Sequence, residues 1–207
     1  MADPATGKPG ILLVEDDLAL SGYLAGALAD QGYAVRQAGN REEALSALAV
    51  EPSPGLILLD LGLPPAPSSM REGLKVLDEC LRALPGTKVI VLTGQDENES
   101  ALEAVRRGAF DFLVKPATLD TILQALRRAG LFLREEGRMA EAGETRLQVT
   151  ARVDEGPKEA AAAAEEQLLR RTLAETGHNV AETARRLGLA REHVYYYLKK
   201  YGLRRPD

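Results

Sequence analysis

The chain predicts an α/β fold, a doubly wound five-stranded parallel sheet, followed by a small all-α domain. Five short apolar runs alternate with segments of helical periodicity over the first two thirds of the 207 residues. Charged residues close three of those runs, and beyond a polar stretch the pattern changes to helices separated by glycines.

The strand candidates are Ile11–Val14, Ala34–Gln37, Leu56–Leu59, Lys88–Leu92 and Asp111–Val114. They are short and continuous, as strands of a parallel sheet buried on both faces tend to be. Helical candidates lie near Leu18–Gln31, Arg41–Ala49, Gly73–Ala83, Asn98–Arg107 and Leu119–Leu133. Asp17 is read as the N-cap of the first, because Leu18, Leu20, Tyr23, Leu24, Ala27 and Leu28 begin right after it. Five βα units imply helices on both faces of the sheet.

Glu15 and Asp16 close the first run, Asp60 the third, and Lys115–Pro116 the run from Phe110 to Val114. Ligand sites of open α/β sheets lie beyond the carboxyl ends of the strands. Three carboxylates and a lysine therefore converge on one edge. Carboxylates held together raise one another's pKa unless a cation neutralises them. Magnesium is the natural cation, since it prefers hard oxygen ligands and accepts one or two carboxylates plus phosphate oxygens. An aspartate beside it can attack a phosphoryl donor, with the lysine balancing the added charge. Taken singly, Asp60 reads as a helix cap, Thr93 as a turn hydroxyl and Phe112 as a core aromatic; their joint spacing favours the functional reading.

The set Val14-Glu15-Asp16-Asp17, Leu59-Asp60-Leu61, Leu92-Thr93-Gly94 and Val114-Lys115-Pro116 resembles the receiver domain of two-component response regulators, a flavodoxin-like fold. The resemblance implies that Asp60 is the phosphoacceptor for a sensor histidine kinase. It implies that Glu15, Asp16, Asp60 and the backbone carbonyl of Gly62 hold Mg2+. Thr93 and Phe112 match the switch pair and Lys115 the invariant lysine, with a cis bond expected before Pro116. Gly73 lies thirteen residues after Asp60, farther than the family spacing, so Pro64 to Arg71 carry an apparent insertion stiffened by prolines.

The receiver is assigned to residues 8–133, a linker to 134–158 and a second domain to 159–207. In the linker the periodicity fades into Gly, Glu, Arg and Ala. Ala160 to Ala164 then open a strong helix, with a stripe at Leu168, Leu169, Thr172 and Leu173 and a stop at Gly177. Asn179 caps the next helix, with Glu182 completing a capping box. That helix runs from Val180 to Leu187 and stops at Gly188; another runs from Arg191 to Tyr201. Two helices across a glycine turn, the second bearing Arg191, His193, Lys199 and Lys200, make a helix-turn-helix.

Residues 166–203 are similar to the Fis-type DNA-binding domain of response regulators, carried by Asn179 to Leu189 and Leu198 to Leu203. The resemblance implies dimerisation through the long first helix and entry of the last helix into the major groove. DNA contacts are then expected from Arg191, His193, Tyr195, Tyr196, Lys199 and Lys200, with Arg204 and Arg205 on phosphates. Ala190 stands where a capping Ser or Asn is usual. Tyr195, Tyr196 and Tyr197 are consecutive and cannot share one face, so at least one packs inward.

The net charge of −5 is unevenly spread: residues 179–207 carry +4, leaving −9 on the rest. An acidic body with a basic tail points to double-stranded DNA as a partner. A single cysteine, Cys80, excludes an internal disulfide framework. With no signal peptide and no apolar stretch of membrane length, a soluble cytoplasmic protein without a membrane partner is expected. No Gly-x-x-x-x-Gly-Lys-Ser/Thr motif occurs, so no ATPase region joins the two domains. The expected function is a phosphorylation-switched, DNA-binding transcriptional regulator, a homodimer on a palindromic site and not an enzyme beyond its own phosphoryl transfer and dephosphorylation. The alternative is a phosphorylation-controlled adaptor whose helical tail only dimerises.

Overall fold

The computed structural model describes residues 8–94 and 98–203, the side chains of 98–100 excepted, so Arg204 and Arg205 lie outside the described residues. Five parallel strands, β1 (Ile11–Val14), β2 (Val35–Ala38), β3 (Leu56–Asp60), β4 (Lys88–Thr93) and β5 (Asp111–Val114), form one sheet in the order β2-β1-β3-β4-β5. Helices α1 (Leu18–Asp30) and α5 (Leu119–Glu141) cover one face. The opposite face carries α2 (Arg41–Leu48), α3 (Arg71–Ala83) and α4 (Asn98–Arg106). Strands β1 and β3 are buried along their whole length, which is why they read as unbroken apolar runs. Consecutive residues feed opposite layers: Leu12 and Val14 pack toward α2 and α3, Ile11 and Leu13 toward α1 and α5.

The edge strand β5 departs from the sequence reading of a buried run. Phe112 and Val114 stand 39% and 46% exposed, because β5 pairs only with β4 and one of its faces is left half covered. Beside them Leu102 and Val105 of α4 are also exposed.

Two boundaries differ from expectation. Helix α5 runs to Glu141, eight residues past 133, its last turns held by Glu136, which is buried. Arg, Met, Ala and Glu are strong helix formers, and a single Gly137 among them costs only about 1 kcal/mol. Pro157, expected in the linker, is instead the first residue of α6 (Pro157–Glu175), where its missing N–H would have no helical partner anyway.

Helices α6, α7 (Val180–Leu187) and α8 (Arg191–Lys200) share a separate small core of Leu169, Leu173, Ala184 and Val194. Asn179 caps α7 through the Glu182 amide at 3.1 Å. The reciprocal half of the expected capping box is absent: the Glu182 carboxylate is taken by Arg185 and Arg186 instead. Gly188 ends α7 in the left-handed conformation, φ 63°. Among the described residues no helix is long and apolar enough to cross a membrane.

Candidate functional site

Strands β1 and β3 are neighbours in the sheet, whereas β2 lies on the far side of β1. The chain winds outward in opposite directions from that pair, and the crevice so opened at the carboxyl ends is the expected ligand position. Glu15 and Asp16 follow β1 and Asp60 ends β3, so the topology alone brings the three carboxylates together. They offer oxygens that all lie within 4.8 Å of one another. Glu15 and Asp60 are buried, and Asp16 is the most open of the three to solvent.

Lys115 reaches across from the end of β5. Its Nζ lies 2.9 Å from Glu15 Oε2 and 2.9 Å from Asp60 Oδ2. The bond between Lys115 and Pro116 is cis, as expected. Burial pushes the Glu15 carboxyl above its ordinary range, with the Asp60 charge adding to the effect and Lys115 opposing it. Burial acts in the opposite sense on Lys115, but its bonds to Asp60 and Glu15 prevail and hold the ammonium above its usual value. One lysine among three carboxylates leaves a net negative site of hard oxygens, a donor set that fits a divalent cation such as magnesium.

The loop after Asp60 is tightly built. The Gly62 amide donates to Asp60 Oδ1 at 3.3 Å. A β-carbon on Gly62 would sit 2.8 Å from the carbonyl oxygen of Pro67. The proline-rich segment thus lies directly over Gly62, a contact that the spacing of the prolines alone did not reveal. Thr93 is buried at the end of β4 and its hydroxyl donates to the Gly94 carbonyl at 3.3 Å, while Phe112 is turned partly outward. Asp17 caps α1, accepting from Ala19 and Leu20 at 2.9 and 3.0 Å. On α1, Leu18 and Tyr23 are 85% and 62% exposed rather than core. Tyr23 and Leu20 line an apolar cleft against Lys115, Pro116 and Leu119. Apolar residues on what periodicity makes an outer helix face were the available signal for it.

In the C-terminal domain Val194 is buried and anchors α8, while Arg191, His193, Tyr195, Tyr196 and Lys199 are exposed. Tyr197 is the tyrosine that packs inward, stacked on Tyr201 at 6.2 Å. Lys200 is not free: its Nζ bonds Glu165 Oε2 of α6 at 2.6 Å and lies over the Tyr201 ring. Lys200 and Tyr201 together bring the Glu165 carboxyl down to about 2. Ala190 precedes α8 without a side-chain cap, as its methyl requires.

A five-stranded doubly wound sheet with three carboxylates and a lysine at its switch point is the architecture of a response regulator receiver domain, and the chain belongs to the response regulator family. The receiver-domain family model matches residues 11–127. The model described as bacterial regulatory protein, Fis family, matches residues 160–201. The chain is similar to the nitrogen assimilation regulatory protein NtrX of Azorhizobium caulinodans, 38% identical over 119 residues, which cover 58% of this chain and 25% of that protein. It is also similar to the acid tolerance regulatory protein ActR of Rhizobium meliloti, 32% identical over 200 residues, or 96% of this chain and 90% of ActR. The chain thus spans about a quarter of the length of the NtrX relative and nearly all of ActR. Among solved structures, the receiver domain of NtrX from Brucella abortus has a TM-score of 0.52 at 35% identity, covering 57% of this chain and 96% of its own. A CheY-like receiver domain protein from Methanospirillum hungatei JF-1 has a TM-score of 0.57 at 27% identity, covering 63% and 100%.

Proposed function

We propose that the chain is a transcription regulator switched by phosphorylation of Asp60, with a receiver that ends in α5, a linker after it, and a DNA-binding domain that begins with α6. The observation that carries this reading is the Lys115 ammonium placed between Glu15 and Asp60 at the carboxyl end of β3. An oxygen of the Asp60 carboxylate attacks the phosphorus of a phosphohistidine on a sensor kinase. The P–N bond breaks, its electrons return to the imidazole, and an acyl phosphate forms. Glu15, Asp16, Asp60 and the Gly62 carbonyl would hold magnesium, which neutralises charge on the incoming phosphoryl group. Thr93 and Lys115 then bind the phosphoryl oxygens, and Phe112 turns inward into the space behind Thr93. Water then hydrolyses the acyl phosphate, restoring the Asp60 carboxylate and releasing inorganic phosphate, and no other enzyme activity is proposed.

Two such chains joined through α6 present two α8 helices to DNA, which favours a palindromic site with half-sites about one duplex turn, or roughly 34–36 Å, apart. DNA as partner places this work in the cytoplasm, and no membrane contact is proposed. The test is selection of bound duplexes from a random pool by the full chain, with and without beryllofluoride and magnesium. An enriched palindrome, bound more tightly with beryllofluoride, supports the reading; no enrichment in either state makes the chain a phosphorylation-controlled adaptor instead.

A further inference from the structure

Glu136 is a buried carboxylate in the last turns of α5, far from the phosphoacceptor, and the receiver chemistry does not use it. Lys88, the first residue of β4, meets its Oε2 at 2.7 Å. Arg171 of α6 approaches the same oxygen at 3.4 Å, and Arg146 of the linker lies 3.7 Å from Oε1. Arg171 also donates to the Arg146 carbonyl at 3.0 Å and pairs with Glu175 at 3.1 Å. Glu175 in turn is 3.6 Å from Arg186 of α7. An unbroken series of ion pairs therefore runs from the base of the receiver sheet through α5 and α6 into the first helix of the helix-turn-helix.

This joint is made by long side chains around one acid. Three cations share Glu136, so its loss leaves like charges facing one another in a desolvated place, a costly arrangement for a buried ionic group. Burial already pulls the Lys88 ammonium below its ordinary range, with Glu136 restoring it and Arg171 and Arg146 opposing. The linker adds a further tie, the Gln148 amide donating to Gln167 of α6 at 2.9 Å. Between receiver, linker and its own domain, α6 has no exposed residue from 164 to 174.

We propose that the Glu136 joint is an intramolecular docking surface that holds the C-terminal helices against the base of the receiver and covers α6. Pairing of two chains through α6 then requires the joint to open. The covering claim rests on the proposal above that α6 is the dimerising helix; the joint itself does not.

The test compares the full chain with Glu136→Gln and Arg171→Gln, all without a phosphodonor and without DNA. Expected for both variants are a larger radius of gyration by X-ray scattering, tryptic cleavage after Arg146 at least tenfold faster, and self-association at least tenfold tighter by sedimentation. Scattering and cleavage unchanged in Arg171→Gln, which lies in the other domain and reads the joint even if Glu136→Gln fails to fold, would overturn the docking surface. An opened joint with unchanged self-association would overturn the covering of α6. A variant that opens and pairs yet selects no duplex would sink the DNA reading while leaving the joint standing.

Discussion

Gly73 of α3 rests directly on the backbone of Leu61, the residue after Asp60. A β-carbon at Gly73 would lie 2.4 Å from Leu61 Cα and 2.7 Å from its carbonyl oxygen. The proline-rich segment between them therefore lengthens the connection without separating α3 from β3. Leu61 and Leu63, just before it, remain fully buried, and Met70 packs on the same core.

Replacing Gly73 by Ala sets two effects against each other. Alanine in a helix interior gains about 1 kcal/mol over glycine, but here the added methyl meets backbone that cannot rotate aside, and such overpacking costs roughly 1–3 kcal/mol or more. The overlap wins. Gly73→Ala is expected to lower the melting temperature, whereas Gly22→Ala on α1, where a β-carbon meets nothing within 4 Å, is expected to raise it. Equal shifts in a thermal scan would contradict the close approach.

Both the acidic site and its sheet were legible because their signals are local. Ile11–Val14 and Leu56–Asp60 are continuous apolar runs that end in carboxylates, and the parallel topology forces those ends together. The course of residues 134 to 158 was not legible. Glu135 to Glu141 looks like solvated linker in composition, yet it is helix, with Glu136 stabilised by Lys88 and Arg171, which lie 48 and 35 residues away. The exposure of Phe112 and Val114 was hidden for a related reason: which strand becomes an edge depends on sheet order, not on the residues of that strand. Glu182 marked a capping box by spacing, but two arginines one turn on compete for its carboxylate and win by charge.

Phosphorylation should be confined to one residue. With magnesium and a small phosphodonor, intact-mass analysis is expected to show a single added phosphoryl group on the native chain and none on Asp60→Asn. Stoichiometric labelling of the variant would reject Asp60 as the acceptor.

Leu102 and Val105 of α4 and Phe112 and Val114 of β5 are exposed apolar residues on two elements that pack against each other, and β5 lies next to the strand that ends in Thr93. A phosphoryl group adds roughly −2 charge and three acceptor oxygens, which should draw Thr93 and Lys115 toward Asp60 and turn Phe112 inward. Phosphorylation-dependent dimerisation through this surface is the expected result, and a shift from 1:99 to 99:1 demands about 5.5 kcal/mol of differential interaction. Sedimentation with and without beryllofluoride measures it. Val114→Lys should abolish the beryllofluoride-dependent dimer while leaving Asp60 labelling intact, and an undiminished dimer would move the interface elsewhere.

Cys80 is fully buried in α3, and burial, helped by the neighbouring Glu79 charge, pushes its thiol up to about 12. Only the thiolate reacts with alkylating reagents, so at pH 8 on the order of one molecule in ten thousand is reactive even before access is considered. Iodoacetamide should leave the native chain unmodified at pH 8 and label it once after unfolding. The native rate should rise with pH toward 12; rapid native labelling at pH 8 would show that the α3 face opens.

The exposed face of α8 is expected to separate base contacts from backbone contacts. Arg191 stands at its first turn, exposed and without an ion-pair partner among the described residues, and its guanidinium can take guanine O6 and N7 together. Lys199, two turns on, is likewise free and suited to a phosphate. Lys200 is already engaged by Glu165 and stacked against Tyr201, so it should contribute less to DNA than its position alone implies. Arg191→Ala is expected to cost roughly 1–3 kcal/mol on the selected duplex and to relax its sequence preference. Lys199→Ala should weaken all duplexes alike and reduce the salt slope by about one. Lys200→Ala should instead loosen α8 from α6, lowering the thermal stability of the C-terminal domain more than it changes the salt slope. Titrations of the three variants at two salt concentrations, alongside their melting curves, distinguish these roles; a full unit lost from the salt slope in Lys200→Ala with unchanged melting would return Lys200 to the DNA surface.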